Sequence, residues 1–202
     1  MKKTLVIPAL LLLAASAIAQ TTPAPTTPAP TTPAPITPAP TRPAPIPPAP
    51  IKNPVSSALR DILPGRQKNT IAAVEAMPAH KFNYKPTADQ MTFGHLVAHM
   101  VEANNMLCSG AAAVPAPKVE PVNESDSKDK LVAALKTSFD FCSDALAKMD
   151  DSKLGEITGG PSGQQLSRAR FALGIASNWA DHYAGAAMYL RLNGILPPTA
   201  KK

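Results

Sequence analysis

Two cysteines, Cys108 and Cys142, constrain the fold of this 202-residue chain more than any other pair of residues. In an exported protein such a pair usually forms a disulfide, which requires Cα atoms within about 7 Å of each other. Each cysteine lies in a stretch whose apolar residues recur at helical spacing. The bond can therefore form only if two helices bring the cysteines to the same level of the fold.

Four stretches carry apolar residues at a period of about 3.6, and no convincing strand pattern competes with them. Pro64-Gly65 can kink or split the first stretch, Ser127 suits the N-cap of the third, and Gly194 ends the fourth. Four helices of similar length with apolar stripes predict an all-α four-helix bundle. The stretches run from about Val55 to Met77, Thr92 to Ser109, Ser127 to Met149 and Gln165 to Asn193.

The cysteines also predict the directions of the second and third helices. Cys108 lies near the end of the second helix, and Cys142 lies roughly 22 Å along the axis of the third. Antiparallel helices joined by a short turn would hold the two sulfurs far apart, whereas parallel helices would place both toward one end. The connection over residues 110–126 could span roughly 50 Å when extended, enough to return along the bundle. We therefore predict an up-down-down-up bundle with a Cys108–Cys142 disulfide; the alternative is two free buried thiols.

The first 51 residues are expected to lie outside this fold. Lys2 and Lys3, an apolar run and the small-x-small triplet Ala17-Ile18-Ala19 predict a signal peptide over residues 1–19, with a retained anchor as the alternative. Residues 20–51 repeat Thr-Thr-Pro-Ala-Pro and its variants, which predicts a disordered polyproline II linker. A ligand for a proline-binding module is the alternative reading of the repeat. The folded domain is then predicted over residues 52–198.

The net charge and the predicted signal peptide limit the classes of partner expected for this chain. The mature chain is expected to be exported, periplasmic or extracellular, without stable membrane insertion after signal cleavage. The formal net charge of +6 becomes about +4 once Lys2 and Lys3 leave with the signal. Basic residues are scattered among acids without a basic stripe, which disfavours nucleic-acid binding. The expected partner is a small molecule of unidentified structure, and a homodimer is compatible with the sequence.

Two histidines from distant parts of the chain are the leading functional candidates. On a helical wheel, His182 lies among apolar neighbours, His99 flanks the apolar stripe of its helix, and His95 is turned further out. Asn178 lies one turn before His182 on the same side. A divalent metal held by the two imidazoles and either Asn178 or His95 would leave positions open for water or substrate. The alternative is a polar core in which the imidazoles hydrogen-bond each other or Asn178.

Parts of the chain resemble the DinB-like (YfiT-like) superfamily, over about Ile51 to Pro198. The resemblance implies an up-down-down-up four-helix bundle and a divalent metal such as zinc, nickel or manganese. In the family the metal is held by a histidine of the second helix, matched by His99, and by an H-x-x-x-H on the last helix. His182 matches the second of those histidines, but Asn178 replaces the first, and an amide is a weak ligand for zinc or nickel. The resembling stretches are Tyr84 to Thr87, Met91 to His99 and Asp181 through Pro198.

The lead hypothesis is a divalent-metal-dependent enzyme of transferase or hydrolase type, in which a metal-bound water or thiol is the nucleophile. Tyr183 or Tyr189 would orient the substrate, although packing is the favoured role of each. The wider family includes transferases that use cytoplasmic thiols, and because this chain is predicted to be exported, the resemblance leaves its substrate open. One alternative, favoured by Asn178, is a non-catalytic bundle with a degenerate metal site that acts as a binding or interaction protein. Another is a bundle that binds haem non-covalently through His and Met.

Overall fold

A computed structural model describes residues 49–200 of the chain. The predicted signal peptide and most of the predicted linker lie outside the described residues. The all-α bundle predicted from the sequence is confirmed, and none of the helices described is both long and apolar enough to cross a membrane. The four helices are α1 (Pro54–Ala76), α2 (Phe93–Ala112), α3 (Lys128–Ala147) and α4 (Arg168–Leu192).

Helices α2 and α3 are parallel neighbours. Asn104 donates a hydrogen bond to Ser138 at 3.0 Å, and one turn further along both helices Cys108 is bonded to Cys142. The partner numbers rise together, which parallel helices require. The predicted disulfide is therefore present, with its Cα atoms 5.2 Å apart and both cysteines fully buried.

The remaining contacts complete the up-down-down-up topology. Between α2 and α4, and between α1 and α3, the partner numbers on one helix fall as those on the other rise, so both pairs are antiparallel. The contacts are Tyr189 with Met91 and Trp179 with Asn104 in the first pair, and Arg60 with Leu146 and Gln67 with Asp140 in the second. The parallel directions of α2 and α3 thus follow both from the cysteines and from the whole contact pattern.

The connection between α2 and α3 returns along the full length of α2. Its residue Glu124 accepts a hydrogen bond at 2.6 Å from the hydroxyl of Thr92, the N-cap of α2. A Cβ atom added at Gly94 would lie 2.5 Å from the carbonyl oxygen of Glu124, so only glycine allows the loop to approach this closely. The loop therefore forms a wall beside α2.

Helix starts combine local and distant caps. Ser127 caps α3 as predicted, since its hydroxyl accepts from the amide of Lys130. Helix α1 is capped from 95 residues away, because the carboxylate of Asp151 accepts from the amides of Val55 and Ser56 at 2.6 and 3.0 Å. Helix α1 continues through Pro64 as one helix, so the split that the proline suggested does not occur.

A small hairpin before α4 was not indicated by any pattern in the sequence. Strands β1 (Ile157–Gly159) and β2 (Gln165–Ser167) pair antiparallel, with Thr158 opposite Leu166. Each strand has three residues, which is too short for an alternating pattern to show in the sequence. As a result, α4 begins three residues later than predicted.

One polar network crosses the otherwise apolar core. The indole N–H of Trp179 donates to Asn104 Oδ1 at 2.9 Å, and Asn104 Nδ2 donates to Ser138 Oγ at 3.0 Å. The hydroxyl of Ser138 donates in turn to the carbonyl of Leu135 at 2.8 Å. All these side chains are buried, so the network joins α4, α2 and α3 without leaving its members unpaired.

Candidate functional site

The two histidines that the sequence singled out are neighbours. His99 of α2 and His182 of α4 have ring centroids 5.0 Å apart, and their planes are tilted by 46°. The pairing follows from the antiparallel packing of α2 and α4, which places His99, the seventh residue of α2, opposite His182 in the second half of α4. Two imidazoles from distant parts of the chain therefore meet between the second and last helices.

The ring of His182 is held in one tautomer. Its Nδ1 lies 2.8 Å from the carbonyl oxygen of Asn178, one turn earlier on the same helix. Because a carbonyl oxygen can only accept, Nδ1 is the protonated nitrogen, and the lone pair of the neutral ring is on Nε2. A backbone carbonyl in this role is the usual partner of a metal-binding imidazole.

The half-buried His182 faces the interior of the bundle. It borders an inner space that is too narrow to admit a water molecule and to which all four helices contribute side chains. Asn178 borders the same space, so the inward placement predicted for His182 and Asn178 agrees with the structure. The other lining residues are Thr70, Met100, Asn104, Phe139 and Trp179.

His99, which the helical wheel places on the flank of the apolar stripe of α2, is exposed. Burial of part of its ring lowers the pKa of His99 below 6.5, and the nearby His182 and, more weakly, His95 lower it further. The carboxylate of Glu102 opposes this shift and raises the pKa of His99. The pair as a whole favours a neutral His99, whose nitrogen can bind a cation.

The two predicted auxiliary ligands lie on opposite sides of the imidazole pair. Asn178 accompanies His182 at the inner space, whereas His95 is exposed and its Nδ1 lies 3.6 Å from Glu124 Oε2. Within residues 49–200, no three His, Cys, Asp or Glu side chains come together as a metal-binding group. The donor atoms near the pair are thus the imidazole nitrogens of His99 and His182 and the neutral side chain of Asn178, which borders the same space as His182.

A groove of about 530 Å³ runs beside His99, between α2 and the loop that returns along it. One wall carries His95, His99 and Glu102 of α2, and the opposite wall carries Glu120 and Glu124. Glu120 and Glu124 were not predicted from the sequence, because they belong to a loop whose path depends on tertiary contacts. The i, i+3 spacing of His99 and Glu102 was the one signal that could have pointed to the groove.

The remaining polar candidates do not border the groove or the inner space. Tyr189 is buried and its hydroxyl donates to the carbonyl of Met91 at 2.6 Å, while burial raises its pKa. The hydroxyl of Tyr183 lies 2.7 Å from that of Thr199. Asp181 is exposed, and His80 lies in a short 3₁₀ helix away from the site. Packing therefore accounts for both tyrosines, and the structure gives no support to the role in orienting substrate.

The fold and the imidazole pair define an up-down-down-up four-helix bundle with two histidines between its second and last helices. The chain belongs to the DinB superfamily, whose profile matches residues 63–185. The resemblance stated from the sequence is thereby confirmed. No curated protein matches the chain.

Solved structures with this fold include three from Bacillus. A DinB-like protein of Bacillus subtilis has a TM-score of 0.54 at 14% identity, covering 68% of this chain and 92% of that one. One from Bacillus cereus has a TM-score of 0.54 at 16% identity, covering 66% and 89%. YfiT from Bacillus subtilis, described as "a probable metal-dependent hydrolase with an unusual four-helix bundle topology", has a TM-score of 0.53 at 15% identity, covering 74% and 94%. These likenesses establish the fold.

Proposed function

We propose that His99 and His182 hold a divalent metal ion and that the protein is a metal-dependent enzyme of hydrolase or transferase type. The separation of 5.0 Å between the two ring centroids carries this proposal. With metal–nitrogen bonds of about 2.0–2.1 Å and tetrahedral angles, two imidazoles that share one ion have centroids roughly 5 Å apart. YfiT, which has the same fold, is described as a probable metal-dependent hydrolase.

Each residue has a separate role in this proposal. His182 presents Nε2, because its Nδ1 is held by the carbonyl of Asn178. His99 stays neutral to lower pH than an ordinary histidine, since its pKa is lowered by burial and by His182. The amide of Asn178 is the proposed third ligand, and the groove beside His99 admits the substrate. A divalent ion held by these residues would lower the pKa of a bound water or thiol, so that a nucleophile would be available at neutral pH.

A second candidate function is a non-catalytic binding protein that kept the fold and lost the metal. The observation that favours it is the replacement of an imidazole by the amide of Asn178, within a described structure that has no three-residue cluster of stronger ligands. Amide oxygen is a poor partner for ions that prefer nitrogen. The two candidates differ in whether the natural protein binds metal at all.

Metal analysis of the purified protein distinguishes them. The protein is stripped with a chelator, reconstituted with zinc, nickel or manganese, and dialysed before elemental analysis. We expect about one ion per chain, and a loss of this ion in His99→Ala and in His182→Ala. His80→Ala is the matched control, because it removes an exposed imidazole outside the site. Absence of stoichiometric metal in the unmodified protein overturns the enzyme proposal.

The variant Asn178→His tests the degenerate-site candidate directly. If the natural chain binds no metal and this variant binds one ion tightly, the protein is a non-catalytic member of its family. If both bind and the variant binds only more tightly, Asn178 is a working third ligand. A control at the exposed neighbour, Asp181→His, is expected to leave the affinity unchanged, because Asp181 points to solvent.

We also propose that the protein acts outside the cytoplasm. The buried Cys108–Cys142 disulfide supports this, since disulfides persist in oxidising compartments. Mass spectrometry of protein recovered from the periplasm or the culture medium is the test. A mature chain that begins at Gln20 and is lighter by two hydrogens than its reduced form is expected. An intact Met1 start in the cytoplasmic fraction alone contradicts export.

A further inference from the structure

One buried hydroxyl beside the proposed metal site has no hydrogen-bond partner. Thr70 of α1 exposes only 2% of its surface, and its Oγ1 is unpaired within residues 49–200. Thr70 borders the same inner space as His182 and Asn178. A buried polar group without a partner is uncommon in native proteins, so this hydroxyl calls for an explanation.

Water cannot be the partner of the Thr70 hydroxyl. The inner space is too narrow to admit a water molecule, so the hydroxyl can pair only with a side chain that borders this space. Two of the bordering side chains, Met100 and Phe139, carry no strong donor or acceptor. The partner must therefore come from the polar side chains on α2 and α4.

Most of the polar groups around the inner space are already engaged. Trp179 donates to Asn104, and the amide of Asn104 donates in turn to Ser138. Nδ1 of His182 is held by the carbonyl oxygen of Asn178. Within the described part of the chain, two groups at this space remain without a hydrogen bond to protein, namely the side-chain amide of Asn178 and Nε2 of His182.

We propose that Thr70 is a positioning residue of the metal site, because its Oγ1 accepts from the amide nitrogen of Asn178 when Asn178 acts as third ligand. This inference rests on the proposed function. An asparagine side chain has a donor end and an acceptor end, and its oxygen is the end that binds a cation. Asn178 is half-buried, so its amide can turn toward the inner space. A hydroxyl that holds the nitrogen end leaves the oxygen free for the ion.

The other free group, Nε2 of His182, predicts the opposite effect for the hydroxyl. A Thr70 hydroxyl that donated to Nε2 would occupy the nitrogen that His182 is proposed to share with His99 at the ion. Metal binding would then become tighter when the hydroxyl is removed. If the hydroxyl instead positions Asn178, its removal weakens metal binding. The sign of the change in metal affinity therefore separates the two arrangements.

Zinc titration of Thr70 variants tests the proposal. Thr70→Val keeps the shape of the side chain and removes the hydroxyl, whereas Thr70→Ser keeps the hydroxyl. The zinc affinity of the full chain is measured by competition with a chromogenic chelator. Thr70→Val is expected to bind zinc about fivefold more weakly than the unmodified chain, the loss that corresponds to one neutral hydrogen bond, and Thr70→Ser to bind it equally well. Unchanged or tighter zinc binding in Thr70→Val overturns the proposal.

A double-mutant cycle assigns the effect to Asn178. In the Asn178→Ala background, the further change Thr70→Val is expected to leave the zinc affinity unchanged, because the hydroxyl has no amide to hold. An equal loss of affinity with and without Asn178 overturns the proposal. Thr137→Val is the matched control, since it removes an exposed hydroxyl that donates to the carbonyl of Ala133, and it is expected to bind zinc like the unmodified chain.

Urea unfolding of the metal-free proteins separates a positioning role from a structural one. Thr70→Val is expected to unfold at a higher urea concentration than the unmodified chain, because it buries no unpaired hydroxyl. Weaker zinc binding by a more stable protein cannot result from damage to the fold. If the unmodified chain binds no zinc, the proposed function and this inference both fail. If the unmodified chain and Thr70→Val bind zinc equally well, this inference alone fails.

Discussion

The two halves of α2 do different work. In the C-terminal half, Cys108 is bonded to α3, and the carbonyl of Ala111 accepts from the buried guanidinium of Arg168 at 2.9 Å. In the N-terminal half, His95, His99 and Glu102 are exposed along an open groove. Helix α2 is thus fixed to its neighbours in its C-terminal half and exposes polar side chains to a groove in its N-terminal half. Site residues on a rigid element keep their geometry without having to contribute to the core.

Among the changes that test this difference between the two halves of α2, removal of the disulfide is expected to have the largest effect on the free energy of unfolding. The bond closes a loop with a sequence separation of 34, and loss of such a constraint costs about 3–4 kcal/mol in the free energy of unfolding. The double variant Cys108→Ala/Cys142→Ala is measured by urea unfolding. Urea unfolding of the unmodified chain with reductant breaks the bond but keeps both cysteine side chains. This measurement separates the effect of the covalent bond from the effect of packing. Equal urea midpoints with and without reductant would show that the C-terminal half does not depend on the bond.

The second largest effect is expected at the buried network of Trp179, Asn104 and Ser138, which lies at the boundary of the two halves of α2. Trp179→Phe leaves the buried Oδ1 of Asn104 without its donor, which should cost about 2 kcal/mol in the free energy of unfolding. Tyr183→Phe is the control, because its hydroxyl bonds to Thr199 at an exposed position and its loss should cost less than about 0.5 kcal/mol. Equal losses in the free energy of unfolding for the two variants would contradict the expectation that the buried hydrogen bond contributes more to stability than the exposed one.

A stabilising change is expected beside His182. The hydroxyl of Thr70 is buried at the inner space and has no partner in the described part of the chain. Thr70→Val keeps the shape and removes this unpaired group, which should raise the free energy of unfolding by about 1 kcal/mol. Thr137→Val, at an exposed position where the hydroxyl donates to Ala133, should change it little. A destabilised Thr70→Val protein would mean that the hydroxyl has a partner in solution.

The smallest effect concerns the protonation of His99. Its pKa is lowered in the folded state, so the unfolded state binds the proton more readily. The resulting contribution to stability is fully present above pH 6.5 and is lost as the pH falls below 6.5 and passes through the lowered pKa. NMR titration of metal-free protein should show a pKa for His99 below 6.5, the ordinary value for histidine. In His99→Gln the dependence of stability on pH over this range should be weaker than in the unmodified chain.

Much of the scaffold was predictable because it follows from local rules. The helical period located four helices, Ser127 marked one start, and Cys108 and Cys142 constrained the directions of α2 and α3. The same directions then made it possible for His99 and His182 to meet. Helix boundaries were missed by a few residues where non-local partners act, as at α4, which follows the unpredicted hairpin.

The amino-acid sequence alone determined the set of helices, the disulfide between α2 and α3 and the identity of the two imidazoles. Periodicity and cysteine geometry are local properties, because they act over a few turns of one chain. The tertiary structure alone decided that His99 is exposed, that Asp151 caps a helix 95 residues away, and that Glu120 and Glu124 face Glu102 across a groove. These features depend on the path of loops. That path is set by single contacts such as Thr92 with Glu124, which leave no periodic pattern in the sequence.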